Sequence, residues 1–128
     1  MIKILIDTNI LVSAALFPQS IPAQAYMKAV TPPYEAVVCD YSVDEFRRVF
    51  NTKFPHRLQD YDRFVSAMAF AVNLVSAPIE QQCEEDENKI RDIDDRPIFR
   101  AAVAAKADIL ITGDKDFLEA DIPKFRNL

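Results

Sequence analysis

Short apolar runs of strand length alternate along this chain with segments of helical periodicity, and that alternation restricts the fold more than any other feature. Ile2–Ile6, interrupted only by Lys3, reads as a buried strand, and Ile10, Leu11, Ala14 and Ala15 follow with helical spacing. Residues 17–20 form a loop, Pro22 stands in the first turn of a helix reaching about Val30, and Thr31-Pro32-Pro33 stops it. Residues 35–39 make a second strand, and Ser42 starts a helix through about Phe50. Pro55 separates that helix from a longer one with Leu58, Tyr61, Val65, Met68 and Val72 along one face. Leu74 and Val75 form a brief strand before Pro78, and residues 80–94 read as a polar helix or a loop. A last helix carries Ile98, Ala102 and Ala105 on one stripe, Asp108 breaks it, residues 109–112 are a strand, and Gly113 turns the chain. Strands separated by helices imply crossover connections, hence an α/β fold with a parallel sheet covered on both faces. With no internal repeat and no linker, residues 1–128 are expected to form one domain.

Composition removes several function classes. Half of the residues are hydrophobic, 27% are charged and no stretch is of low complexity, which excludes a disordered tail or a fibre. The most apolar stretch, residues 64–77, is too short for a membrane span and contains Asn73, so no membrane association is expected. No basic and apolar leader precedes the first Asp, and Cys39 and Cys83 are isolated, as expected of free thiols in a reducing cytoplasm. His56 is the only histidine, which excludes a multi-histidine zinc site. Gly113 is the only glycine, which excludes both a Walker loop and a G-x-G-x-x-G dinucleotide turn. The formal net charge of −5 argues at first against a nucleic-acid partner, but its distribution is uneven. Arg47, Arg48, Lys53 and Arg57 occur with no acid between them, whereas residues 80–95 are strongly acidic. Such segregation is compatible with an anionic substrate, and equally with two solvated helix faces of opposite sign.

Four acids fall at telling places on this map. Asp7 ends the first strand, Glu45 lies early in the helix after the second, Asp95 precedes the helix of Ile98, and Asp114 follows the last strand by two residues. The carboxyl ends of parallel strands line the crevice where ligands bind in open α/β sheets. Chain direction alone brings Asp7, Glu45 and Asp114 to that edge, and Asp95 joins them if its helix starts there. Clustered carboxylates repel unless a cation offsets them, and an all-oxygen set without His or Cys favours Mg²⁺ or Mn²⁺. Such an ion supports phosphodiester hydrolysis by an activated water. Each acid also has a structural reading: Asp7, Asp95 and Asp114 as helix caps, and Glu45 as the last residue of a capping box, Ser42-Val43-Asp44-Glu45.

Ile6-Asp7-Thr8-Asn9-Ile10-Leu11, Ser42-Val43-Asp44-Glu45-Phe46, Arg91-Asp92-Ile93-Asp94-Asp95 and Ile111-Thr112-Gly113-Asp114-Lys115-Asp116-Phe117 occur in this order over essentially the whole chain. The ordered set resembles the PIN domain family, in particular its prokaryotic toxin-like, VapC-like branch. The resemblance implies a three-layer α/β/α sandwich with a short, mainly parallel sheet, and a Mg²⁺- or Mn²⁺-dependent endoribonuclease acting on RNA. It further implies the toxin of a toxin–antitoxin pair, with a small antitoxin protein as partner and a homodimeric state. Position by position, it assigns the four catalytic and metal-holding acids to Asp7, Glu45, Asp95 and Asp114, with Asp94 as the rival for the third place. Asp116 resembles an additional metal ligand, Asn9 and Thr112 match polar positions that orient the site, and Ser13 is a further supporting position. Arg47, Arg48, Lys53 and Arg57 are candidate contacts to the RNA backbone. Two departures favour an alternative, a non-catalytic PIN-like module binding RNA or protein: Arg96-Pro97 replaces the small polar residue common after the paired acids, and the chain ends at Leu128, where a last strand is usual.

Overall fold

A computed structural model describes residues 1–78 and 96–113. Four strands, β1 (Ile2–Ile6), β2 (Tyr34–Cys39), β3 (Asn73–Val75) and β4 (Ile109–Ile111), form one sheet in the order β3-β2-β1-β4. All three pairings are parallel, with Ile4 opposite Ala36, Val37 opposite Asn73 and Ile6 opposite Ile111. The helices are α1 (Thr8–Leu16), α2 (Ile21–Ala29), α3 (Asp40–Lys53), α4 (Leu58–Ala71) and α5 (Arg96–Ala104), with a single 3-10 turn at Pro55–Arg57 between α3 and α4.

The strand order explains the layers. The steps from β1 to β2 and from β2 to β3 move in one direction, so right-handed crossovers put α1 to α4 on one face. The return to β4 moves the other way and puts α5 on the opposite face. Side-chain alternation along the strands agrees. Ile4, Ile6, Ala36 and Val38 join the core beneath α1 to α4, whereas Leu5, Val37 and Leu110 pack with Ile98, Phe99 and Ala102 of α5. The chain is therefore the α/β/α sandwich expected. In the larger core Phe46 is fully buried, and its ring centroid lies 5.4, 5.1 and 5.7 Å from those of Phe50, Tyr61 and Phe64, all edge-on.

Several local expectations are corrected. Helix α3 starts at Asp40, two residues before the expected Ser42. The Asp40 carboxylate accepts the Tyr41 amide at 2.7 Å and the Ala77 amide at 3.1 Å, so it stabilises the first turn while tying β2 to the segment after β3. Asp108 does not break α5. That helix ends at Ala104, Lys106 takes a left-handed φ of 58°, and Asp108 instead joins β1, accepting the Lys3 amide at 2.9 Å and donating its own amide to the Lys3 carbonyl at 2.8 Å. Gly113 needs no special conformation: its φ is not positive, and a Cβ there would meet nothing. On α4 the buried face carries Tyr61, Phe64, Val65 and Met68, while Leu58 lies outward. Among the described residues no helix is long and apolar enough to cross a membrane.

The Asp40 tether has a pH signature. Partial burial acts to raise its pKa, but hydrogen bonds from the Ala77 amide, the Cys39 thiol, the Tyr41 amide and the Ser76 side chain prevail and hold it below 3.8. A depressed carboxyl contributes stability that is fully present above its unfolded pKa and is lost as pH falls through the folded one. The stability difference between the wild type and Asp40→Asn is therefore expected to be constant near neutral pH and to shrink below about pH 3.8, as read by denaturant titration across pH. A difference that grows on acidification would contradict this role.

Candidate functional site

The carboxyl edge of the sheet is built from the inside outward by Asp7. Its amide donates to the Ile111 carbonyl at 3.0 Å, which extends the ladder between β1 and β4 by one residue beyond β1. Its carboxylate then turns into the first turn of α1 as the N-cap, where Oδ1 accepts the Thr8 amide at 2.7 Å. The hydroxyl of Thr112, the residue after β4, donates to Oδ2 at 2.6 Å. Asp7 is 2% exposed and Thr112 is buried with it. Charge-assisted hydrogen bonds and the positive end of α1 stabilise a carboxylate so placed. Capping and the Thr112 hydroxyl together hold the Asp7 carboxylate in a fixed plane at the carboxyl edge of the sheet.

Glu45 lies in the second turn of α3, half-buried, and its carboxylate makes no hydrogen bond or ion pair among the described residues. The capping-box reading of Glu45 fails, because Ser42 is the third residue of α3 and not the residue before its first turn. The starts of α1 and α3 both lie at the carboxyl edge, since each helix leaves the end of a strand. Helix α5 also begins there, because a helix returning between parallel strands runs opposite to them. Tyr41, in the first turn of α3, accordingly packs against the Ile98–Phe99 cluster of α5.

The sequence reading took Ser42 as a helix start and cap and gave Thr8 no role, and it missed the burial of both hydroxyls. Thr8 Oγ1 and Ser42 Oγ are both buried without a hydrogen-bond partner. A Ser or Thr inside a helix ordinarily bonds back to the carbonyl four residues earlier. Those carbonyls belong here to Ile4 and Val38, which lie in β1 and β2. The only sequence signal was the place of each hydroxyl next to an acid or one turn before it.

The donor set fits a hard divalent cation. Asp7 and Glu45 both present carboxylate oxygens, those of Glu45 are uncommitted among the described residues, and the hydroxyl oxygens of Thr8 and Ser42 are without hydrogen-bond partners. Among the described residues, however, no three His, Cys, Asp or Glu side chains converge, so Asp7 and Glu45 alone do not complete a cation site. The other expected acids, Asp94, Asp95, Asp114 and Asp116, lie outside the described residues.

The remaining candidates are spread out. Asn9 is exposed on α1 and Ser13 lies one turn further along that helix, while Thr112 is the one supporting position hydrogen-bonded to an acid of the set. Arg47 and Arg48 are exposed on α3 just past Glu45, and Arg47 pairs with Asp44 at 3.2 Å. Lys53 is the last residue of α3. Arg57 donates to the Leu16 carbonyl at 3.1 Å and pairs with Asp60, which places it at the end of α1 remote from Asp7, closing that helix. His56 is exposed in the 3-10 turn. Burial pushes the Cys39 thiol up to about 11, so it is no nucleophile at neutral pH; Cys83 and Asp92 lie outside the described residues.

Away from this edge, α1, α2 and α4 enclose an apolar groove of about 320 Å³, with Ala14, Ala23 and Ala67 between Tyr26, Met27 and Phe64. Asp60 and Arg63 stand at its rim. Phe64 and Met68 belong to the core cluster, whereas Phe70 is 95% exposed.

Comparison with known proteins places this architecture. A family model described as PIN domain matches residues 3–116. No curated protein matches the chain in sequence. Among solved structures, the fold is similar to VapBC2 from Rickettsia felis bound to a promoter DNA fragment, with a TM-score of 0.68, 16% identity, and coverage of 99% of this chain and 98% of that one. It is also similar to VapC20 of Mycobacterium tuberculosis, a sarcin-ricin loop cleaving toxin, with a TM-score of 0.60, 16% identity, and coverage of 96% and 98%. DNA-bound VapBC from Salmonella typhimurium superimposes with a TM-score of 0.67 at 13% identity, covering 100% of this chain and 98% of that one.

Proposed function

This chain belongs to the PIN domain family, and from that premise we propose that it is a divalent-metal-dependent endoribonuclease, the toxin of a toxin–antitoxin pair. The observation that carries the reading is the buried Asp7 carboxylate, fixed at the carboxyl edge by the Thr8 amide and the Thr112 hydroxyl. Asp7 and Glu45, together with Asp95 and Asp114, are the residues that would hold Mg²⁺ or Mn²⁺, with Asp94 the rival for the third position and Asp116 an additional ligand. When bound, such an ion lowers the pKa of a water and offsets charge on a phosphoryl oxygen. The protein contributes geometry: Thr112 and the Thr8 amide hold the Asp7 carboxylate in one plane, so no reorganisation is needed when substrate arrives. Asn9, exposed one residue beyond Thr8, is free to contact the substrate in this reading. Arg47 and Arg48 hold the RNA backbone, since the exposed Arg47–Asp44 pair is weak enough to exchange for a phosphate.

The test is cleavage of RNA by purified protein in Mn²⁺. Cleavage is expected to stop on chelation and to fall on the order of 100-fold or more in Glu45→Gln. Cleavage that survives chelation, or none at all in the wild type, would reject the nuclease reading.

The antitoxin belongs to the same proposal. Two of the similar structures are VapBC assemblies, and the groove between α2 and α4 offers this chain an apolar docking surface. Arg57 and Arg63 both pair with Asp60, so this cluster beside the groove carries one excess positive charge and favours an acidic flank on an apolar partner segment. Ala67→Glu, which puts a like-signed charge before that flank and blocks the groove, is expected to weaken binding of the small protein encoded beside this gene by ten-fold or more. RNA cleavage should be unchanged. Undiminished binding, measured by calorimetry, would move the docking site elsewhere.

A further inference from the structure

The unpartnered Ser42 hydroxyl is an anomaly that neither packing nor the helix explains. Ser42 is 0% exposed, and its Oγ has no hydrogen-bond partner. Burying a hydroxyl without a partner lowers stability, and alanine would fit the same space without that loss. A native protein that keeps such a group usually does so for function.

Its surroundings indicate what the hydroxyl serves. Within α3, Ser42, Phe46 and Phe50 form the buried stripe, and Glu45 stands three residues after Ser42, on the flank of that stripe. Glu45 is half-buried, and its carboxylate is likewise uncommitted among the described residues. A donor lacking an acceptor thus stands one helical turn from an acceptor lacking a donor, at the edge where Asp7 is fixed. Asp7 already has a hydroxyl assigned to one of its oxygens, from Thr112. Glu45 has no such support unless Ser42 supplies it.

We propose that Ser42 is the positioning residue for Glu45: the two are not bonded in this conformation, and when Glu45 turns to hold a cation the Ser42 hydroxyl donates to one carboxylate oxygen and leaves the other to the cation. The role parallels that of Thr112 toward Asp7, so that each described acid is oriented by one buried hydroxyl. The inference rests on the proposed cation-holding role of Glu45.

The experiment compares wild type, Ser42→Ala and Ser42→Thr by Mn²⁺ calorimetry and by thermal melting without metal. Ser42→Ala is expected to melt at the same temperature or a few degrees higher, yet to bind Mn²⁺ about ten-fold or more weakly, the usual loss when a group orienting a ligand is removed. Ser42→Thr, which retains the hydroxyl, should recover affinity. Unchanged Mn²⁺ affinity in Ser42→Ala would overturn the inference and leave the nuclease reading standing. So would a lower melting temperature of metal-free Ser42→Ala, since the hydroxyl would then serve the fold, and so would equal losses in the Ala and Thr variants. If the wild type binds no Mn²⁺, both the inference and the nuclease reading fall.

Discussion

Asp7→Asn is expected to yield a folded protein whose RNA cleavage is lower by two to three orders of magnitude. The substitution is nearly isosteric, and the geometry allows it. The amide oxygen of Asn can still accept from the Thr8 amide, and the Thr112 hydroxyl, which now donates to Oδ2, can rotate to accept from the new NH₂. The change removes a charge from a side chain that is 2% exposed, and relieving a buried ion of its desolvation offsets much of any lost hydrogen-bond strength. The melting temperature should therefore change little while Mn²⁺ affinity and turnover collapse together. A structural cap predicts the opposite pattern, because loss of a cap lowers stability by about 1 kcal/mol and leaves chemistry alone. Calorimetric Mn²⁺ titration, a melting curve and an RNA cleavage assay on one preparation separate the two. Cleavage equal to the wild type would remove Asp7 from the mechanism.

The largest expected loss of stability is at Phe46. Phe46→Ala removes a ring that is fully buried and in edge contact with Phe50, Tyr61 and Phe64, so it empties the junction between α3 and α4. Large aromatic truncations in cores cost about 3–5 kcal/mol, from lost transfer energy and from the cavity that remains. Against a typical domain stability of about 5–15 kcal/mol, that is a large fraction of the whole. Phe46 is adjacent to Glu45, so in the proposed mechanism cleavage falls as well, because a loosened α3 no longer presents Glu45 and Ser42 at the sheet edge. Chemical denaturation should show a lower midpoint, and a loss below about 1 kcal/mol would mean that the neighbouring rings collapse into the space. Phe70→Ala serves as the control on the same helix pair. Phe70 is 95% exposed, and its truncation should change stability by no more than about 0.5 kcal/mol.

Periodicity and chain order determined the architecture without coordinates. Runs such as Ile2–Ile6 and Ile109–Ile111 are apolar on both faces because the sheet is covered on both sides, and helices between them dictate parallel pairing. The same logic put Asp7 and Glu45 at the carboxyl edge before any distance was known. What periodicity missed are features set by partners far along the chain. Asp40 begins α3 because its carboxylate also reaches the Ala77 amide, 37 residues away. Asp108 looked like a helix stop because its true partner, the Lys3 amide, is 105 residues distant.

The separation is clearest at the site itself. The order of residues alone decided the fold class and the sheet edge to which Asp7 and Glu45 come, because direction along a parallel sheet and side-chain type are local properties. Only the tertiary structure decided that Asp7 is clamped by Thr112, that Ser42 is buried without a partner one turn before Glu45, and that Arg57 closes the remote end of α1. Burial and hydrogen-bond pairing arise when segments distant in sequence are brought into contact, and no local pattern encodes which atoms will then be left facing one another.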